Sequence, residues 1–225
     1  MMKLFLSGGG SGKDSIELDK LFVSMLDKSK PLLYIPIAID TKKHPYPDCL
    51  KWLKSTFEPL GIKKFEMWTE KELANFDKTD LNDFGGVYIG GGNTFKLLKD
   101  FRDFNFLDSL KELAKKDIPI YGGSAGAIIL TKTIIPALSA DPNNVGLKEF
   151  DALNLVNNYD IFAHYEENQD KTIFEYIKQY DLKKVIGIPE DSGIFVTNNK
   201  IQVIGPGSAF IFNKEKKEIK PNSHF

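Results

Sequence analysis

Arginine is nearly absent from this chain: Arg102 stands alone among 30 basic residues, the rest being lysine. Clamping of carboxylates or phosphates by several forked guanidinium groups is thereby excluded. Cysteine is as scarce. Cys49 has no second thiol to pair with, which excludes an intramolecular disulfide and a cysteine-based zinc site, and a reducing compartment is the simpler expectation. Charge of one sign is not in excess either. With 30 basic and 31 acidic residues interspersed, the net charge is -1, which offers no basic face to nucleic acid and no acidic tail. Long hydrophobic runs are missing too: no stretch approaches the ~20 apolar residues of a membrane span, and the run 4–6 is far too short for a signal peptide. The expectation is a soluble, cytoplasmic protein with neither nucleic-acid nor membrane partners.

What is present is material for a core. A hydrophobic content of 42%, with 12% aromatic residues in a chain of 225, supports one globular domain spanning residues 1–225. Short β-rich runs end in glycine, proline or a polar turn at 3–10, 31–39, 85–92, 117–123 and 183–190. Amphipathic stretches with apolar residues three and four apart cover 15–26, 48–60, 94–101, 107–115 and 171–180, which predicts helices between the strands. Alternation of this kind predicts an α/β fold with a mostly parallel sheet covered on both faces. After residue 190 the pattern changes. GIFVTNN, KIQVIGPG and SAFIFNKEKKEI read as strands joined by tight turns such as Asn198-Asn199, an antiparallel meander closing the sheet edge.

Three glycine-rich turns follow strands, where the reactive groups of open α/β sheets collect. The first, in LFLSGGGSGKDS (4–15), looks like a nucleotide-binding P-loop but has Ser7 where that motif needs glycine and Asp14 where it needs a hydroxyl. It reads as a strand-to-helix turn, with Asp14 or Ser15 as helix cap and Lys13 solvated. The third, IPIYGGSAGAIIL (118–130), matches the nucleophile elbow G-x-S-x-G in its required setting of strand, tight turn and helix. Small neighbours are needed because the nucleophile sits on a strained turn. Ser124 is the candidate nucleophile; its bland alternative is a helix N-cap.

A serine needs a base, and there are 3 histidines. His44 lies in a proline-flanked loop and His224 is next to last, whereas His164 follows the apolar run YDIFA at the end of an expected strand. The orienting carboxylate has two candidates: Glu190, which ends VIGIP, and Asp141 in SADPNN, whose bland reading is a turn-forming residue before proline. The second glycine-rich turn, Ile89-Gly90-Gly91-Gly92-Asn93-Thr94-Phe95, also joins strand to helix. Gly91, Gly92 and Asn93 could there hold an oxyanion or substrate, with the Ala125 N–H as the other half of an oxyanion hole.

Taken together, IGGGNTFKLL, YGGSAGAIIL, FDALNL, His164 and IGIPEDSGI resemble the peptidase E (aspartyl dipeptidase) and cyanophycinase family of serine peptidases, over about residues 85–213. The resemblance implies a three-layer sandwich related to class I glutamine amidotransferase domains. It implies hydrolysis of short peptides through an acyl-enzyme, with no metal and no organic cofactor. Ser124 matches the nucleophile and His164 the base; Glu190 is favoured as third member for its strand-end position and Asp141 is its rival. The expected partner is a short peptide, with a homodimer left open. One departure stands out. The family's aspartate-recognising arginine should fall within 164–180, which contains none; Lys171, Lys178 and Arg102 are the substitutes on offer. Glu166, Glu167 and Asp170 form instead an acidic cluster able to attract a positive substrate group, unless it is simply a solvated helix N-terminus. The alternatives to a peptidase are a small-molecule esterase or amidase with the same triad, and a non-catalytic binding module.

Overall fold

The structure, a computed structural model, describes residues 1–198 and 200–225. In chain order the elements are β1 (Leu4–Ser7), α1 (Ile16–Ser24), β2 (Leu32–Ile35), α2 (Tyr46–Phe57), β3 (Phe65–Met67), α3 (Glu70–Leu73), β4 (Gly86–Ile89), α4 (Thr94–Asp103), α5 (Phe106–Lys115), β5 (Ile120–Gly123), α6 (Ala125–Ile128), β6 (Asp160–Ala163), α7 (Asp170–Gln179), β7 (Val185–Ile188), β8 (Gly193–Val196), β9 (Ile201–Ile204), β10 (Ala209–Phe212) and β11 (Lys216–Ile219). All five expected helices form, with ends shifted by a few residues. The strand expected over 31–39 stops at Ile35, because Pro36 has no N–H for the ladder and its carbonyl instead accepts from Ile39 N in a turn. β3 and α3 lie outside the sequence expectation; α3 is opened by a capping box in which Thr69 and Glu72 bond each other's backbone.

The strands form two sheets. A seven-stranded sheet runs β3-β2-β4-β5-β1-β8-β9, and a four-stranded one runs β11-β10-β7-β6. From β3 to β1 the large sheet is parallel, with Leu4 to Ser7 registered on Ile120 to Gly123. The C-terminal strands are antiparallel as expected, but they divide: β8–β9 extends the large sheet beside β1, while β10–β11 pairs with β7 in the small one. The expected turn at Asn198-Asn199 falls partly outside the described residues.

Side-chain alternation explains the layering. Phe5, Tyr34, Tyr88 and Tyr121 point to one face of the large sheet, where α1 and α2 bury Phe22, Leu53 and Phe57 against them. Leu4, Leu6, Leu33, Ile35, Val87 and Ile89 point to the other, which is covered by α4, α5 and the small sheet. The small sheet turns Ile161, Ile186 and Ile188 toward that core and Phe162, Val185 and Phe212 toward α7. This arrangement aims the carboxyl ends of β5, β6 and β7 at one another.

Candidate active site

Ser124 follows β5, and its backbone has φ 49 and ψ -109, a strained conformation held by the elbow around it. The small residues there are obligatory. A Cβ on Gly122 would come within 2.4 Å of Gly126 O, and one on Gly126 within 2.3 Å of Ile89 O, so only glycine lets the turn pack against its own helix and β4. The helix that follows, α6, is only one turn long, so the stabilisation of negative charge here falls to individual N–H groups and little to a macrodipole. Gly91 sits directly opposite, where a Cβ would lie 3.3 Å from Ser124 Cβ. Among the described residues, neither Gly91 N–H nor Ala125 N–H has a hydrogen-bond partner.

His164 and Glu190 come from the small sheet. β6 and β7 are parallel neighbours with Ala163 registered on Ile188, so the residues just past their carboxyl ends emerge side by side. His164 Nδ1 lies 2.8 Å from Glu190 Oε1, and His164 Nε2 lies 2.8 Å from Ser124 Oγ. The first glycine turn locks this arrangement. Gly8 O accepts from His164 N at 2.7 Å, Ser7 O accepts from Ser124 N at 3.3 Å, and Gly9 packs flat against the imidazole.

The pattern of peptidase family S51 matches residues 4–204 of this sequence. The chain belongs to that family. Among its relatives is Peptidase E of Shewanella sp. (strain W3-18-1), 30% identical over 147 residues that cover 62% of this chain and 61% of that protein. The chain thus spans about three fifths of the length of that relative. Peptidase E of Shewanella denitrificans is 27% identical over 207 residues, covering 88% and 85%. The fold matches a crystal structure of a peptidase E protein from Listeria monocytogenes EGD-e at a TM-score of 0.72, with 24% identity over 92% of this chain and 100% of that one. A peptidase from an acI-B1 Actinobacterium matches at 0.73, with 17% identity over 100% and 96%.

Within this S51 fold the imidazole of His164 is hydrogen-bonded, among the described residues, to Ser124 and Glu190, and the other sequence candidates have other partners. Asp141 Oδ2 accepts from Thr94 N at 2.8 Å, so its carboxylate caps α4. Asn93 accepts from Lys96 N and donates to Pro142 O, which ties the same helix start to the 142 loop. Gly92, at φ 135, is pressed against Ala38, and its neighbour Asn93 donates its N–H to Ala38 O. Two members of the acidic cluster are engaged: Glu166 caps the turn before α7, and Asp170 accepts from Tyr165 Oη and pairs with Lys216 at 2.9 Å. Arg102 donates to Glu149 O and Asp151 O.

A cavity of about 340 Å³ opens beside Ser124. Its walls bring in residues that sequence reasoning passed over: Tyr34, Asp48, Trp52 and Tyr88. The only signal was positional, since Tyr34 and Tyr88 lie near the carboxyl ends of neighbouring parallel strands. Among the described residues no helix is long and apolar enough to cross a membrane.

Below the first glycine turn lies a buried acid. Asp19 on α1 accepts from Ser15 Oγ at 2.9 Å, so the hydroxyl expected to cap α1 is turned inward. Burial pushes the Asp19 carboxyl up to about 6, against hydrogen bonds from Ser15 and Tyr121 that favour the charged form. The folded protein therefore binds the proton more tightly than the unfolded chain, and this contribution is fully present below about pH 4 and lost as pH rises through about 6. It amounts to about 3 kcal/mol. Asp19→Asn removes the titration while keeping an acceptor for Ser15. The Tm of the variant relative to the native protein is expected to rise as the pH is taken from 4.5 to 7.5. A difference that stays flat across that range would contradict the assignment.

Proposed function

We propose that this protein is a serine-type peptidase that hydrolyses short peptides through Ser124, His164 and Glu190. The observation that carries the reading is the continuous chain Ser124 Oγ to His164 Nε2 and His164 Nδ1 to Glu190 Oε1, each link 2.8 Å. In the first half-reaction His164 Nε2 takes the proton of Ser124 Oγ as the oxygen attacks the scissile carbonyl carbon. The tetrahedral oxyanion is held by the free Gly91 and Ala125 N–H groups. Collapse breaks the C–N bond while His164 gives its proton to the departing amine, leaving the acyl group on Ser124. Water then attacks the ester with His164 again as base, and the acid is released as Ser124 recovers its proton. Glu190 stays ionised throughout, fixing the imidazole tautomer and stabilising the imidazolium.

Glu190 takes this role over Asp141 because it touches the imidazole, whereas Asp141 is committed to α4. The purified protein is expected to release amino acids from short peptides. In that assay Glu190→Gln should lower kcat by about 10²- to 10³-fold, less than for an enclosed triad because the Glu190 side chain is 62% exposed and water takes over part of its work. Asp141→Asn should leave kcat within about threefold and lower stability by roughly 0.5–1 kcal/mol through the weakened cap. Failure to cleave any short peptide, or the reverse ranking of the two variants, overturns the reading. Preference for an N-terminal aspartate finds no support at the cavity, where no lysine or arginine is among the lining residues.

A further inference from the structure

We propose that the cavity beside Ser124 is a subsite for a positively charged substrate side chain, so that the preferred peptides carry lysine or arginine next to the scissile bond. This rests on the peptidase reading above and names its substrate class. Asp48 and Trp52 lie four residues apart on α2 and so share one helix face, the face that walls the cavity. Trp52 is one of the few large apolar side chains left exposed, at 38%. Its ring meets Tyr88 at 5.9 Å between centroids with an interplanar angle of 65°, and Tyr88 in turn meets Tyr34 edge-on at 5.7 Å. Burial raises both phenols well above their ordinary value, so they remain neutral, and with Tyr88 stacked on Tyr121 at 4.6 Å the half-exposed Trp52 ring is the main aromatic surface of this wall.

The charge balance of this pocket is negative. Among the described residues Asp48 has no ion-pair partner, and its charge reaches the neighbouring Cys49 thiol, which burial and Asp48 together push up. His44, Cys49, Tyr34 and Tyr88 are the other titratable side chains on the wall. Lys96 pairs with Glu70 and Asp100, Lys171 with Glu175, Lys216 with Asp170, and Arg102 donates to backbone carbonyls; Lys13, Lys42, Lys43 and Lys178 have no ion-pair partner among the described residues, but they are exposed and none of them lines the cavity. A cationic side chain would gain both the Asp48 carboxylate and the exposed Trp52 ring. An aspartyl side chain would meet like charge, so the two terms act on opposite sides of the same discrimination.

The test compares kcat/KM on matched peptides carrying lysine, leucine or aspartate, with the varied residue on either side of the bond. The lysyl peptide should exceed the aspartyl one by about tenfold or more, and Asp48→Asn and Trp52→Ala should each shrink the lysyl-to-leucyl ratio about three- to tenfold. Aspartyl peptides cleaved at least as well as lysyl ones, or a ratio unmoved in both variants, overturns the proposal. So does loss of the Asp48 effect on N-acetylation, which would make the α-amino group the cation that is read. Calorimetric binding to Ser124→Ala separates the two layers. Tighter binding of the lysyl dipeptide, with no hydrolysis by the native protein, would keep the subsite and sink the peptidase reading; equal binding of lysyl and aspartyl dipeptides would sink the subsite.

Discussion

Ser124→Ala is expected to lower kcat on any cleaved peptide by about 10⁴- to 10⁶-fold, the range in which a nucleophile acting as part of a unit is lost. The substitution removes one oxygen and one hydrogen bond, that to His164, and keeps the Cβ, so the strained backbone at φ 49 is neither relieved nor made worse. Stability should change by only about 1 kcal/mol. His164→Ala should cost turnover by a similar factor, and the double variant little more than either alone, because the groups act together. An active-site-directed fluorophosphonate gives a readout independent of substrate choice. The native protein should gain one adduct on Ser124, the Ser124→Ala protein none. Labelling that persists in Ser124→Ala, or native turnover in His164→Ala, would refute the triad.

The second large effect is expected at a residue with no side chain to take part in the chemistry. A Cβ on Gly9 would lie 2.0 Å from His164 Cε1, and Gly9 already sits at φ 120, where an L side chain is strained. The clash can be relieved by displacing the imidazole from its place against Ser124, whereas the backbone strain stays. A displacement of about 1 Å in a catalytic group is enough for roughly 10²-fold in rate, so Gly9→Ala should lower kcat by about 10²- to 10³-fold and stability by about 2–4 kcal/mol. Gly12→Ala is the control. Gly12 is also in the left-handed region, at φ 61, but a Cβ there meets nothing within 4 Å, so it should cost about 1 kcal/mol and leave kcat near native. Equal kcat in the two variants would show that the glycine turn does not hold His164 in place.

This turn also shows what a P-loop-like sequence can disguise. Gly8, Gly9 and Gly10 follow a strand and precede a helix, as the phosphate-binding motif requires, yet their lack of side chains serves the approach of Pro189, His164 and Glu190. Lys13, the residue that prompted the comparison, is exposed. A local pattern records that a backbone must pass close to something; it does not record what.

The sequence by itself determined the α/β alternation, the elbow at Ser124, the placement of His164 at a strand end and the antiparallel C-terminal strands, because each is written in a few consecutive residues through steric demand or side-chain period. It also supplied both carboxylate candidates and the missing arginine. The tertiary structure alone decided between Glu190 and Asp141 as neighbours of His164. That choice depends on β6 and β7 pairing in a second sheet, which their apolar runs do not specify, since a buried strand reads the same whichever sheet it joins. The cavity was equally out of reach of local reading. Asp48 and Trp52 belong to an ordinary amphipathic helix, and only its packing across β2 and β4 brings them to the wall of the cavity beside Ser124, a placement that their spacing does not carry.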